Sequence, residues 1–206
     1  MLQRLVVMKN LFIGPTPTEL SECKLLIRIR ISKNFLKATI PPGFFNLPLV
    51  NMLEFSDNHF SGEHPDEISS EILGLLMLSN NVMTQRIPKA IGRLTNLRIL
   101  SLDINQFTGE IPPEMFQLKS LSKININNNN LTGLIPSTLS RCSSLTSIQI
   151  KGLETDSIPE TWFQSGRRNR MLERREHHQQ RRCRDRLPGI DAGRRGCCNQ
   201  VTCWSE

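Results

Sequence analysis

The chain has no run of about eighteen apolar residues, so no segment reads as a membrane-spanning helix. Its opening, MLQRLVVMKNLF, lacks a long apolar core followed by a small-residue cleavage site, and no signal peptide is legible. The cysteines lack the paired C-x₂₋₄-C arms of a structural zinc site, so His177, His178, Cys183, Cys197, Cys198 and Cys203 do not read as metal ligands. No nucleophile and base stand in a recognisable constellation. No metal and no cofactor are expected, and an enzyme is the least favoured class.

Most of the chain has almost no net charge. The formal net charge of +7 would suggest an acidic partner. Residues 165–206, however, hold eleven Arg, no Lys and five Asp or Glu, a balance of +6. The first 164 residues carry fifteen basic and fourteen acidic side chains, a balance of +1. The basic segment has no apolar periodicity of 2 or 3.6, so it reads as a disordered tail from about Ser165. It also has no interleaved aromatics, so no nucleic-acid partner is expected despite its arginines.

What is present is a repeat. Pro17, Pro41, Pro65, Pro88, Pro112, Pro136 and Pro159 recur at intervals of 24, 24, 23, 24, 24 and 23 residues. Arg93 to Pro112, RLTNLRILSLDINQFTGEIP, is the clearest unit. Leu97, Leu100 and Leu102 suit a short strand with one buried face. Asn105, with Asn10, Asn34, Asn58, Asn81 and Asn129 as equivalents, follows the strand. An amide buried there unpaired would cost about 1–3 kcal/mol, which predicts a stacked ladder bonded to the backbone of adjacent coils. Gly109 permits a turn that a Cβ would crowd; Gly14, Gly62 and Gly133 match it, while Ala38 and Gln85 depart from it. His64 departs from the buried isoleucine position.

A period of this length with leucines in phase predicts an α/β fold of the leucine-rich-repeat solenoid kind, of plant-specific repeat type, with a concave parallel β-sheet. Two domains follow: residues 1–164, about six repeats of 23–24 residues with partial ends, and the tail 165–206. Cys23 and Cys142 stand six residues after a repeat proline, where neighbouring units have leucine, and read as small buried hydrophobes. No capping unit is visible at either end. The chain thus reads as a fragment of a longer secreted or membrane protein, or as a truncated gene product.

Ligands of such a solenoid meet the concave sheet. Its outward positions lie eleven, thirteen and fifteen residues after each proline. They include Arg28, Arg30 and Ser32, then Met52 and Glu54, Met77, Ser101 and Asp103, with Arg4 on the first partial unit. Arg28 and Arg30 leave one face of one strand about 7 Å apart, and Arg4 falls about 4.8 Å from Arg28 across the ladder. Such a cluster suits an anion, a free carboxylate above all, which a guanidinium fork binds in bidentate fashion. Glu54 matches Arg30 one repeat on, so a plain cross-strand ion pair worth about 0–1 kcal/mol competes with that reading on even terms. Asn130-Leu131-Thr132 is the one N-glycosylation sequon, expected on the exposed turn after the strand.

The stretches CKLLIRIRISKNFLKATIPPGFFNLPLV, LRILSLDINQFTGEIPPEMFQLKSLSKI and LTGLIPSTLSRCSSL resemble the late ectodomain repeats of the CLAVATA-type leucine-rich-repeat receptor kinases of plants. The resemblance covers about residues 14–150. It implies that Arg28 and Arg30, in the Arg-Ile-Arg strand, recognise the free C-terminal carboxylate of a small secreted (CLE-like) peptide. It further implies a co-receptor and a place at the cell surface, reached through a membrane span in a longer parent. The family's N-terminal cap, earlier repeats, span and kinase motifs are not seen in this sequence, so no kinase activity is expected of it. A secreted inhibitor-type binding protein, using the same concave face on a folded enzyme, is the alternative function.

Overall fold

A computed structural model describes residues 2–62 and 68–150. All of them lie in the first of two compact units, Met1–Arg167. His64, the expected 164/165 boundary, the basic tail and its four cysteines fall outside the described residues.

The period of 24 becomes one parallel strand per coil. β1 (Arg4–Val6), β3 (Arg28–Arg30), β5 (Met52–Glu54), β7 (Leu75–Met77), β9 (Ile99–Ser101), β11 (Lys123–Asn125) and β13 (Ser147–Gln149) form a seven-stranded sheet in that order. Each strand is three residues long, with its central residue facing inward. Those residues, Ile29, Leu53, Leu76, Leu100, Ile124 and Ile148, are all buried, and Leu5 packs half-buried against them. The repeat that is one residue short does not break the sheet. Met52 pairs with Leu75 and Glu54 with Met77 in continuous register, so the missing residue is absorbed between strands.

Where it lies among the described residues, the repeat proline opens the opposite side of the coil. Its carbonyl accepts the first bond of a 3-10 turn: Phe44 N to Pro41 O at 3.1 Å, Ile91 N to Pro88 O at 3.2 Å, Met115 N to Pro112 O at 3.1 Å and Leu139 N to Pro136 O at 3.0 Å. Proline suits that place because its ring holds φ near the required value and the turn needs no donor from it. The helical half of the repeat is thus 3-10 rather than α: Thr18–Glu22, Pro42–Asn46, Lys89–Arg93, Pro113–Gln117 and Ser137–Arg141. Phe44, Phe45, Met115 and Phe116 fill the space between these turns and the sheet.

A second line of strands flanks the first. β2 (Ile13–Gly14), β4 (Phe35–Ala38), β6 (His59–Gly62) and β8 (Val82–Met83) form one parallel sheet, and β10 (Thr108–Gly109) pairs with β12 (Asn130–Leu131). An isolated bridge from Arg86 to Thr108 lies between the two groups. Phe60 and Phe107, just after the asparagines, turn inward and are fully buried. Phe60 meets Phe55 edge-on with centroids 5.8 Å apart, and Phe55 stacks on Phe44 at 5.9 Å.

The asparagines join the two lines of strands. The Asn58 amide donates to Ile31 O and Phe55 O, both at 3.1 Å, and its Oδ1 accepts from Leu36 N at 3.1 Å. Asn34, Asn81, Asn105 and Asn129 repeat the pattern, each accepting from the backbone of the preceding coil. The ladder is therefore amide to backbone, coil to coil. Asn10 lies on the first coil and is exposed, its amide donating only within that coil.

Candidate functional site

The concave face is three columns wide, set by the outward positions of the strands and the residue two beyond each. The first column runs Arg4, Arg28, Met52, Leu75, Ile99, Lys123 in register. The second runs Val6, Arg30, Glu54, Met77, Ser101, Asn125. The third holds Ser32, Ser56, Ser79 and Asp103, just past the strand ends.

The structure brings the three arginines to one corner. Arg4 pairs directly with Arg28, and Arg28 shares its strand with Arg30. Arg30 is engaged: its Nε donates to Glu54 Oε2 at 2.6 Å. Glu54 in turn accepts from Ser32 Oγ at 2.9 Å through Oε1. Ser32 is buried, so this hydroxyl fixes the carboxylate from beneath. The cross-strand pair expected from the 24-residue spacing is therefore present. It uses one of the guanidinium's five donors and leaves the others for a ligand. Arg4 and Arg28 are exposed, and neither pairs with a carboxylate among the described residues.

The other expected face residues are also where the spacing puts them. Met52, Met77 and Ser101 are half-buried and outward. Asp103 is half-buried, and Ser79 Oγ donates to its Oδ1. Met52 and Met77 do not share a column: Met52 is beside Leu75, and Met77 is beside Glu54. Leu75 and Ile99 belong to the same outward set, though sequence alone gives them no role; their signal is the spacing that marks Met52. Asn130 is exposed, as a glycan acceptor must be, but stands in β12 rather than on a turn; its backbone N–H donates to Phe107 O at 2.8 Å. Residues 85–89 and 108–113, with Thr132, border an open lateral cleft away from the arginine corner. Among the described residues no cluster of three His, Cys, Asp or Glu could hold a metal, and no helix is long and apolar enough to cross a membrane.

Cys23 and Cys142 are unpaired, half-buried and buried respectively. Cys142 does more than fill space. Its Sγ lies 3.4 Å from Leu118 O and 3.6 Å from Leu121 O of the preceding coil. Ser70, at the equivalent position, donates from Oγ to Leu47 O and Val50 O at 3.1 Å each. Burial pushes the Cys142 thiol above its ordinary value, against a smaller lowering by a backbone hydrogen bond from Leu145.

A Leucine rich repeat family model matches residues 95–152. The chain is a leucine-rich-repeat solenoid of the plant-specific repeat type. Receptor-like protein 31 of Arabidopsis thaliana is 31% identical over 98 residues, covering 47% of this chain and 11% of that protein. The Arabidopsis receptor kinase HAESA, solved in complex with the peptide hormone IDA and the co-receptor SERK1, is 36% identical with a TM-score of 0.70. The match covers 73% of this chain and 26% of HAESA. PEPR1, solved with AtPEP1, is 33% identical with a TM-score of 0.72 over 74% of this chain and 22% of its own. The structure of a Pollen Receptor Kinase 3 is 34% identical, with a TM-score of 0.67, and 75% of it is covered. The solenoid thus spans about a quarter or less of HAESA and PEPR1, and a smaller share of the curated relative.

Proposed function

We propose that this chain reads a ligand for a plant leucine-rich-repeat receptor-like protein at the cell surface. Its Arg28 and Arg30 take the free C-terminal carboxylate of a small secreted peptide of the CLE-like kind. The observation that carries this reading is the arginine corner. Three guanidinium groups occupy adjacent places on two strands, and Glu54 neutralises one of them. Arg28 is the open arm. Arg30 is the pre-set arm, because the Glu54–Ser32 bonds hold its Nε and fix the plane of its fork. A fork held in advance loses less conformational freedom when the carboxylate arrives. Support comes from HAESA, whose solved complex contains a peptide hormone and a co-receptor; a co-receptor is proposed here on the same ground.

The test is a titration of the full chain with a panel of synthetic CLE-like peptides, each with a free or an amidated C-terminus. Arg28→Ala with Arg30→Ala should weaken binding more than tenfold, and amidation should do the same. Affinity unchanged in both comparisons would remove the carboxylate reading.

A further inference from the structure

The residue directly after each ladder asparagine lies on the flank of the solenoid, beside or within the second line of strands. From coil to coil this row reads Leu11, Phe35, His59, Val82, Gln106 and Asn130, all of them exposed. Gln106 and Asn130 show that the place accepts a polar residue, so the core does not require an apolar one there. Yet Leu11 is 79% exposed, Phe35 49% and Val82 39%. The Phe35 and His59 rings meet with centroids 5.9 Å apart, and the exposed Ile13 pairs with Phe35 on the other side. A single exposed apolar residue is ordinary, but a contiguous run over four coils marks an interaction surface.

The run is bordered by charge of one sign. Lys33 stands two residues before Phe35 and Lys37 two residues after it, so exposed amines lie on both sides of the row. Lys9 repeats the place of Lys33 on the first coil and is exposed too. None of the three has a carboxylate partner among the described residues. Asp57 takes the same place on the third coil, but it is half-buried and accepts from Asn80 Nδ2 at 2.9 Å. The border of the apolar run is therefore basic and open to an acidic partner.

We propose that this flank docks a second protein through an amphipathic helix whose apolar stripe is bordered by carboxylates. Adjacent coils stand about 4.8 Å apart. Side chains on one face of a helix recur about every 5.4 Å, and those on one face of an extended chain about every 6.6 Å. Over the three spacings from Leu11 to Val82 the helix drifts from the coils by about 2 Å, the extended chain by about 5 Å. A helix lying across the coils thus sets one turn on each, with its stripe along the row. Carboxylates on one side of the stripe face Lys9 and Lys33, and those on the other side face Lys37. The apolar row supplies the buried area, and the lysines fix which partner and which orientation are accepted. An anionic membrane offers similar chemistry over a broad surface, whereas this row is one side chain wide and about 14 Å long.

The probe is a synthetic helix-forming peptide with leucines at i, i+4, i+7 and i+11 and glutamates on both sides of that stripe. Its C-terminus is amidated, so Arg28 and Arg30 meet no free terminal carboxylate. A scrambled peptide of the same composition carries the same charge, so attraction to arginines elsewhere on the chain cancels in the comparison. Fluorescence anisotropy with the full chain should show the striped peptide binding about tenfold tighter than the scrambled one. Phe35→Ser with Val82→Ser should remove that difference, while Gln106→Ser, in the same row past the apolar run, should leave it in place. Lys33→Glu with Lys37→Glu changes only exposed side chains and should transfer the preference to a striped peptide with lysine in place of glutamate. Equal binding of striped and scrambled peptides overturns the proposal, as does a preference indifferent to Phe35→Ser with Val82→Ser. Phe35-dependent binding to vesicles of phosphatidylserine and phosphatidylcholine, without peptide discrimination, assigns the flank to a membrane and overturns it as well. So does a Phe35-dependent dimer in sedimentation without peptide discrimination, which assigns the flank to a second copy.

Discussion

Arg30 and Glu54 face each other across β3 and β5 with 2.6 Å between Nε and Oε2, and Ser32 closes the arrangement from the buried side. The Glu54 side chain is 14% exposed and that of Arg30 is 39%. The pair is thus half-screened by solvent, which keeps its contribution to stability to about 0.5–1 kcal/mol. A double-mutant cycle with Arg30→Ala and Glu54→Ala, followed by urea unfolding, should return that coupling and should lose most of it in about 1 M salt. Zero coupling at low salt would mean that Glu54 does not hold the guanidinium.

The asparagine ladder predicts a contrast between two substitutions of one kind. Asn58 is buried and bonds three backbone carbonyls and one backbone N–H across two adjacent coils. Asn58→Ala orphans the Leu36 N–H, while Ile31 O and Phe55 O keep the Asn34 and Asn81 amides, and should cost about 1–3 kcal/mol. Asn10 is exposed and its amide donates only to its own coil, so Asn10→Ala should cost less than about 0.5 kcal/mol. Similar losses at both sites would argue that the amide acts within its coil rather than between coils.

These two asparagines also show what a sequence can and cannot carry. Periods of 24 and of 2 superpose on Leu100 and Leu102, so the main sheet, its inward face and its outward columns are legible. The ladder is legible too, because amides recurring at the repeat spacing beside buried leucines must find partners, and adjacent coils are what the repeat places within reach. The second line of strands is not. β2 and β12 are two residues long and follow no alternation, since their pairing is set by the coil before them rather than by their own side chains. For the same reason Asn130 reads as a turn, and Phe60 and Phe107 carry no core signal of their own. At the arginine corner, spacing yields both the Arg28/Arg30 cluster and the Arg30–Glu54 pair. The part played by Ser32 is hidden, because it depends on a hydroxyl reaching the adjacent strand.

Several coils hold backbone conformations that suit glycine but carry other residues. Ala38 and Gln85 occupy the turn-glycine place at φ of 71° and 74°, and Ile104 stands at 55° just before a ladder asparagine. A β-branched residue in the left-handed region is strained by about 1–2 kcal/mol. Ile104 is 46% exposed, so little packing is lost on replacing it. Ile104→Asn and Ala38→Gly should each stabilise the fold by about 0.5–1 kcal/mol, additively because they lie on separate coils. Thermal melts of the two single variants and the double test this; a lower Tm for Ile104→Asn would mean that the isoleucine packs productively after all.

Cys142 gives a pH dependence of definite sign. Its thiol is buried and its folded-state pKa lies above the ordinary value, so the folded chain holds this proton more tightly than the unfolded chain does. The stability this contributes is complete below the unfolded cysteine pKa of about 8.5. It is lost as pH rises through that value toward the folded one, because ionisation is then easier in the unfolded state. Unfolding free energy should therefore fall as pH rises above about 8.5. Cys142→Ser should flatten the part of that slope owed to Cys142. It should cost less than about 1 kcal/mol at neutral pH, since Ser70 already makes the same two carbonyl contacts in an equivalent coil. Cys142→Ala should flatten the slope equally but cost more, about 1–2 kcal/mol, by leaving Leu118 O and Leu121 O without this partner. Equal costs for the two variants would reduce Cys142 to a space-filler; an unchanged slope would assign the pH dependence to other groups.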